Sequence, residues 1–478
     1  MQHVIGISRD QVTFFPEAIE DYVGQDNPVR FIDAFVDKLN MITCGFLHAQ
    51  VAETGRPPYN PKDLLKLYLY GYLHRLRSSR SLECETKRNI EVLWLLRRLS
   101  PDHKTISNFR TQHAEALAKV FRSFVLLCQQ LNLFGAELVA IDSTKFKASN
   151  GQNHIRKRYD IEQDYRGLDQ SIKTYFKQLD EKDGVEERTA DPSITKEQLQ
   201  EKIAALEQTR HLLEHVAHDS PQHICLTDPD ARFMKTARGG IEPAYSVHTA
   251  VDAQHHLIVD YTPSQDAFDS NHLASVAQKT SDTLGVEHLS VCADAGYYDT
   301  VDLKQCEDNH ITAHVPIPVS PTRETAQYSV DRFVYEPSRD TYTCPQSQQL
   351  HRRSVRVHRR DGRRIYIYGT KACRSCLAKA QCTTSPRGRH LARWEHEGVL
   401  ERLKQRLREQ PHIFRQRKSI VEHVFGTIKK VWGYDHLLLR GFRKINAEVS
   451  LMFLAYNIKR VLNIVGTQAL CSFISTAP

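Results

Sequence analysis

The chain of 478 residues has no apolar run that could span a membrane. Val449–Tyr456 and Phe124–Cys128, the longest stretches, fall far short of the roughly 18 residues required. Its first residues, MQHVIGISRDQ, lack the basic start and apolar core of a secretion signal, so a cytoplasmic protein without a membrane partner is expected. There is no internal repeat and no long low-complexity tract. With 40% apolar and 26% charged residues, the composition excludes wholesale disorder, collagen and a coiled-coil filament. There is little net charge either, +8 from 65 Lys+Arg against 57 Asp+Glu. That is a mild bias that gains meaning only if it is unevenly spread.

It is uneven. Residues 160–220 hold 15 Asp+Glu and 8 Lys+Arg, a net of −7 that leaves +15 on the remainder. The length suggests about three domains. From Pro61 to about Phe134 the apolar residues recur at helical spacing, as in Leu64, Leu65, Tyr68, Leu69 and Tyr72, which predicts an all-helical front domain over 1–135. The pattern then turns to short strands at 137–142, 244–252, 256–262, 288–293 and 311–316, with helices near 270–284 and 299–309. The last 80 residues return to helix. These segments give an α/β core of 136–159, 223–319 and 398–465. An acidic helical insertion (160–222) and an Arg/Cys-rich insertion (320–397) interrupt it, and a tail (466–478) follows. The insertion's helices could pair as a hairpin, serving as a spacer or a dimer contact.

Three acids stand out. Asp142 and Asp294 each end an apolar strand, where a sheet fixes the backbone and leaves the side chain at an open edge. An Asp that caps a helix or opens a turn occupies the same position. Glu422 lies in RQRKSIVEHVFGTIKK. On an α-helix Lys418, Glu422 and Lys429 share one polar face, an arrangement that also describes a solvated salt bridge.

With their surroundings, AIDSTKFKA, ADAGYYD and VEHVFGTIKK, these acids resemble the catalytic triad of DDE transposases from bacterial insertion sequences. The resemblance extends to GRPPYNPKDLLKLYLYGYLHRLRSSRSLE, TDPDARFMK and LRGFRKINAEVSLMFLAYNIKRVL. Around the family's Glu stand a Tyr, an Arg and a Lys at fixed steps. Here the Arg step is Lys418, the Lys step Lys429, and the Tyr step Arg415. The resemblance implies an RNase H-like core, a mixed sheet flanked by helices, with Asp142, Asp294 and Glu422 holding Mg²⁺ or Mn²⁺. Hard oxygen ligands suit such ions. Two of them about 3.5–4 Å apart would serve strand cleavage and then transfer of the 3′-OH ends. The implied partners are double-stranded DNA, as terminal inverted repeats and target, and a second subunit in a homodimer or larger synaptic complex, in a nucleoid-associated enzyme. A nuclease that does not join strands, or an inactive DNA-binding regulator, are the alternatives.

Two basic surfaces would meet DNA. The front helices resemble a helix-turn-helix, with Arg77, Arg80, Ser107, Asn108 and Arg110 as reading residues, although a solvated bundle face has the same composition. Residues 401–430 carry nine Lys+Arg against three acids, including Arg415, Arg417, Lys418, Lys429 and Lys430. Of eleven cysteines, seven are scattered in apolar or helical contexts. Cys344, Cys373, Cys376 and Cys382 cluster in what reads as a loop-rich module with seven arginines between the first two. A Zn²⁺ staple presenting an arginine face, or four reduced thiols, both fit this pattern. Asp228 and Asp230 read as a turn.

Overall fold

The computed structural model describes residues 18–50, 57–151, 154–182, 196–216, 222–236, 240–318, 328–359 and 362–476. The chain divides into two compact units, 1–135 with 143–267 and 422–478, and 136–142 with 268–421.

Among the described residues the first unit opens, after a 3₁₀ turn at Ile19–Tyr22, with seven α-helices: α1 (Pro28–Lys38), α2 (Met41–Cys44), α3 (Pro61–Leu73), α4 (Ser79–Arg88), α5 (Ile90–Leu95), α6 (His103–Gln112) and α7 (Ala114–Gln130). Their starts are written in the sequence. Asn27, Asn60, Asn89 and Asp102 each accept a bond from an orphan backbone N–H of the helix they precede, and prolines occupy the first turn of α1 and α3. Phe124 of α7 meets Phe31 and Phe35 of α1 edge-on, with ring centroids 6.2 and 5.4 Å apart. Strand β1 (Leu138–Lys147) follows, then β2 (Ile155–Lys157), α8 (Arg158–Lys182), α9 (Lys196–His215), β3 (His223–Cys225), β4 (Arg232–Lys235), β5 (Ile241–Asp252) and β6 (Ile258–Ser264). β5 is buried without interruption from Pro243 to Asp252, as expected of a strand covered on both faces. In the acidic insertion α8 packs on α9 around Ile161, Val216 and Ile224, and the antiparallel pair β2–β3 closes its base.

The second unit adds α10 (Leu273–Leu284), β7 (Leu289–Cys292), α11 (Thr300–Asp308) and β8 (Ile311–His314). The first half of β1 pairs in parallel with β7, and β7 with β8. β1 thus has residues in both units. Its far end lies beside β5, with Ala148 N donating to Pro243 O at 2.9 Å. The sheet runs β4-β5-β1-β7-β8, with β6 also on β5. Parallel β1, β7 and β8 beside antiparallel β4, β5 and β6 make a mixed sheet, consistent with the expected RNase H-like core.

The Arg/Cys-rich insertion corrects the loop-rich expectation. It is a five-stranded antiparallel sheet of β9 (Val334–Glu336), β10 (Thr341–Thr343), β11 (Gln349–Val357), β12 (Arg364–Gly369) and β13 (His390–Trp394), with a short α12 (Lys379–Cys382). Phe333, Tyr342, Leu350, Tyr368 and Leu391 form its core. β11 escaped notice because it is exposed from His351 to Val357, so it shows no apolar alternation. Then come α13 (Glu397–Glu409) and α14 (Pro411–Phe425).

Back in the first unit, α15 (Phe442–Val465) is buried on nearly every side and packs on α7 and α3, while α16 (Thr467–Thr476) packs on α1. The residues expected as a tail are therefore largely a docked helix. The front helices also do not stand apart as a compact unit of their own, because α15 is apolar all round and must be covered on every side. Among the described residues no single helix is long and apolar enough to cross a membrane. α15 and α16 would pass together, but the chain bends by 101° between them.

Candidate functional site

The parallel register of β1 and β7 matches Ala140 with Cys292. Two residues on lie Asp142, which sits within β1 and not at its end as expected, and Asp294, two residues past the end of the neighbouring β7. Asp294 opens a short 3₁₀ turn, and its carboxylate accepts the Gly296 N–H at 2.8 Å. A Cβ at Gly296 would lie 2.9 Å from Asp294 Oδ1 and 3.3 Å from Asp269 Oδ2, so both carboxylates crowd this glycine. Asp269 thus lies near this strand end, a neighbour that sequence reasoning missed. Its signal was an acid shortly after β6, in Gln265-Asp-Ala-Phe-Asp269.

Asp142 is tied to α14, whose Arg417 donates through Nη1 to Asp142 Oδ2 at 2.7 Å, with both side chains mostly shielded from solvent. Arg417 Nε is buried without a hydrogen-bond partner. Cys292 beneath them is pushed up to about 12 by burial, with Arg417 opposing and Asp142 adding to the shift.

Five residues further along α14, Glu422 is exposed. The helix does not continue regularly as expected. It widens into a π-helical segment over Gly426–Val431, a distortion common at functional sites. This alters the phase after Phe425. Lys429 turns inward, its Nζ donating to the Lys145 carbonyl at 2.5 Å and lying 4.6 Å from the Phe146 ring centroid. Burial pushes its ammonium down to about 8. Lys429 is therefore withdrawn from the phosphate-facing position expected for it, whereas Lys430 beside it is exposed, as are Arg415 and Lys418 on α14.

In the front helices two more expectations are corrected. Arg77 is buried. Its Nη1 donates to the His436 carbonyl at 2.7 Å and meets Glu448 at 3.2 Å, and its guanidinium lies 4.5 Å from the Tyr434 centroid. Arg110 is buried too, donating to Tyr72 Oη at 3.0 Å and to the Arg77 carbonyl at 3.1 Å. Both lock helices together and neither reaches outward. Arg80 and Asn108 are exposed and Ser107 half-buried. Asn108 and Gln112 border an open cleft of about 730 Å³, with Tyr59, Pro61 and His113.

Asp228 and Asp230 form the expected turn and anchor α15. Asp228 Oδ1 accepts the Gly441 N–H at 3.0 Å, and Asp230 Oδ2 the Phe442 N–H at 2.7 Å. Cys344, Cys373, Cys376 and Cys382 line one small cavity. Among the described residues, no group of three or more His, Cys, Asp or Glu side chains could hold a metal ion as placed.

Two family models match the chain, a transposase domain (DUF772) over residues 17–112 and a transposase DDE domain over residues 343–462. Both matched stretches are thus similar to transposase domains, the second to a DDE domain. The DDE match takes in Glu422, Lys418 and the four-cysteine module, while Asp142 and Asp294 lie between the two matched spans. No curated protein matches. Among solved structures, a piggyBac transposase synaptic complex with hairpin DNA is similar at 11% identity and a TM-score of 0.34, over 94% of this chain and 79% of that one. That likeness is too distant to carry residue roles to this chain.

Proposed function

We propose that this protein cuts DNA at the ends of a transposable element and joins the freed 3′-hydroxyls to target DNA, with Asp142, Asp294 and Glu422 as the metal-holding carboxylates. The observation that supports the reading is the parallel pairing of β1 with β7, which matches Ala140 with Cys292, two residues before Asp142 and Asp294. The donor set suits Mg²⁺ or Mn²⁺, since it consists of hard carboxylate oxygens, one of which now meets its positive charge in the Arg417 guanidinium. Bound there, a pair of such ions would activate the attacking oxygen and stabilise the leaving one.

The rest of the reaction falls to the chain's own groups. Arg415, Lys418 and Lys430 are exposed cations on and just beyond the helix of Glu422, suited to holding the phosphate backbone. Arg80, Ser107 and Asn108, on α4 and α6, offer an outward polar surface for the terminal repeats. Cutting two ends calls for two subunits, so a dimer or larger assembly belongs to this reading.

Purified protein, element ends and Mg²⁺ in a strand-transfer assay test the proposal. Joined products are expected. Nicks without joining would reduce the reading to a nuclease, and binding without cleavage to a regulator.

A further inference from the structure

We propose that Cys344, Cys373, Cys376 and Cys382 hold one structural zinc ion that pins the turn between β10 and β11 to the α12 segment. The four residues, separated by up to 38 positions, line a single cavity of about 30 Å³, room for one small body and not for a substrate. All four are free thiols, and Cys344 and Cys382 pack against the module's aromatic core. Four sulfur donors around one point favour zinc among common intracellular ions.

The backbone around them is arranged for thiolates. Cys344 begins a tight turn in which Ser347 N donates to the Cys344 carbonyl at 2.8 Å and Cys344 N to the Gln348 carbonyl at 2.9 Å. Ser347 takes a left-handed conformation, φ 57°. The turn aims the Gln348 N–H at Cys344 Sγ, 3.3 Å away, an amide–sulfur bond of the kind that orients a metal-binding sulfur. On the other side Gly388, φ +93°, closes over Cys373 so tightly that a Cβ would lie 2.5 Å from the cysteine's own Cβ. Only glycine meets both demands. Lys379 and Arg389 line the same cavity and offset the two negative charges of a zinc tetrathiolate. As placed, no three of the four thiols are yet at ligand spacing, so binding requires their side chains to rotate inward within the cavity they already share. Four protons leave as the ion enters.

The consequence is architectural. β11 continues past its short pairing with β10 as an exposed strand carrying Arg352, Arg353 and Arg356. The ion would fix the turn from which that strand departs.

The test uses full-length protein purified without chelator from zinc-supplemented cells. Elemental analysis should find about one zinc per chain, falling at least tenfold in Cys373→Ser/Cys376→Ser and unchanged in Cys84→Ser/Cys471→Ser. Should the double variant fail to fold, the parental protein still decides. Titration with a mercurial should release one zinc as four thiols react, and cobalt in its place should show the absorption of a tetrahedral thiolate site. Negligible zinc, iron in its stead, no metal release on titration, or zinc retained by the double variant would each overturn the proposal. Asp142→Asn should keep its zinc, so the outcome is independent of the catalytic reading.

Discussion

Arg417 holds Asp142 through a 2.7 Å ion pair that supplies the acid's positive charge. Its Nε is buried with no partner of its own, so the guanidinium is committed to this contact. Removing it takes a charge-assisted hydrogen bond from a shielded carboxylate, which costs about 1–3 kcal/mol. Arg417→Gln should therefore lower the melting temperature in metal-free buffer, and Mg²⁺ should recover more stability in the variant than in the parent. An unchanged melting temperature in both buffers would show that the pair does not matter to the fold.

The catalytic assignment makes a separate demand. Asp142→Asn, Asp294→Asn and Glu422→Gln keep shape and remove charge, so each should reduce metal-dependent cleavage by roughly 10³-fold or more while leaving binding of element ends largely intact. Gel shift and cleavage are measured on the same preparations. Cleavage at the parental rate by any one variant removes that residue from the site. The same substitution at Asp269 reveals whether this neighbour of Gly296 takes part.

Lys429 gives the protein a pH signature. Burial lowers its folded value to about 8, against an ordinary 10.5. Between those values the unfolded chain binds more protons than the folded one, so stability rises with pH. The burden is full below about pH 8 and is relieved as the pH climbs toward 10.5, with an upper bound of about 3 kcal/mol. Denaturation of parent and Lys429→Met at pH 7.5 and 9.5 should show the balance moving toward the parent by roughly 2 kcal/mol at the higher pH. An identical gap at both values would mean that Lys429 is not desolvated.

Much of this was legible in the sequence because it is local. Short apolar runs lead up to Asp142 and Asp294, although β1 continues past Asp142 to Lys147 through a polar stretch that hid its second half, and the helices announce themselves through Asn and Asp caps and 3.6-residue stripes. What was illegible depends on distant partners. Arg77 and Arg110 look like exposed cations until Glu448 and Tyr72, brought in by other helices, and His436, in the segment before α15, claim them. Lys429 shares a face with Glu422 on a regular helix, and no local signal foretells the π-helical segment that rotates it inward. β11 reads as a charged loop because a strand exposed on both faces has no apolar period.

That difference between buried and exposed cations can be tested directly. Glu448 is fully buried, and besides Arg77 its carboxylate accepts the backbone N–H groups of Leu438 and Leu439 at 2.8 and 3.0 Å. Arg77→Ala strands that charge, a loss of about 3–5 kcal/mol. It should appear as a large drop in denaturant midpoint, with the element-end preference of the surviving folded protein unchanged. Arg80 and Asn108 are exposed and support no such network. Arg80→Ala and Asn108→Ala should leave the midpoint within about 0.5 kcal/mol of the parent, yet weaken binding of element ends relative to random DNA in a competition gel shift. A stable Arg77→Ala protein that has lost end specificity would reverse the assignment, making Arg77 a reader of DNA and the buried pair dispensable to the fold.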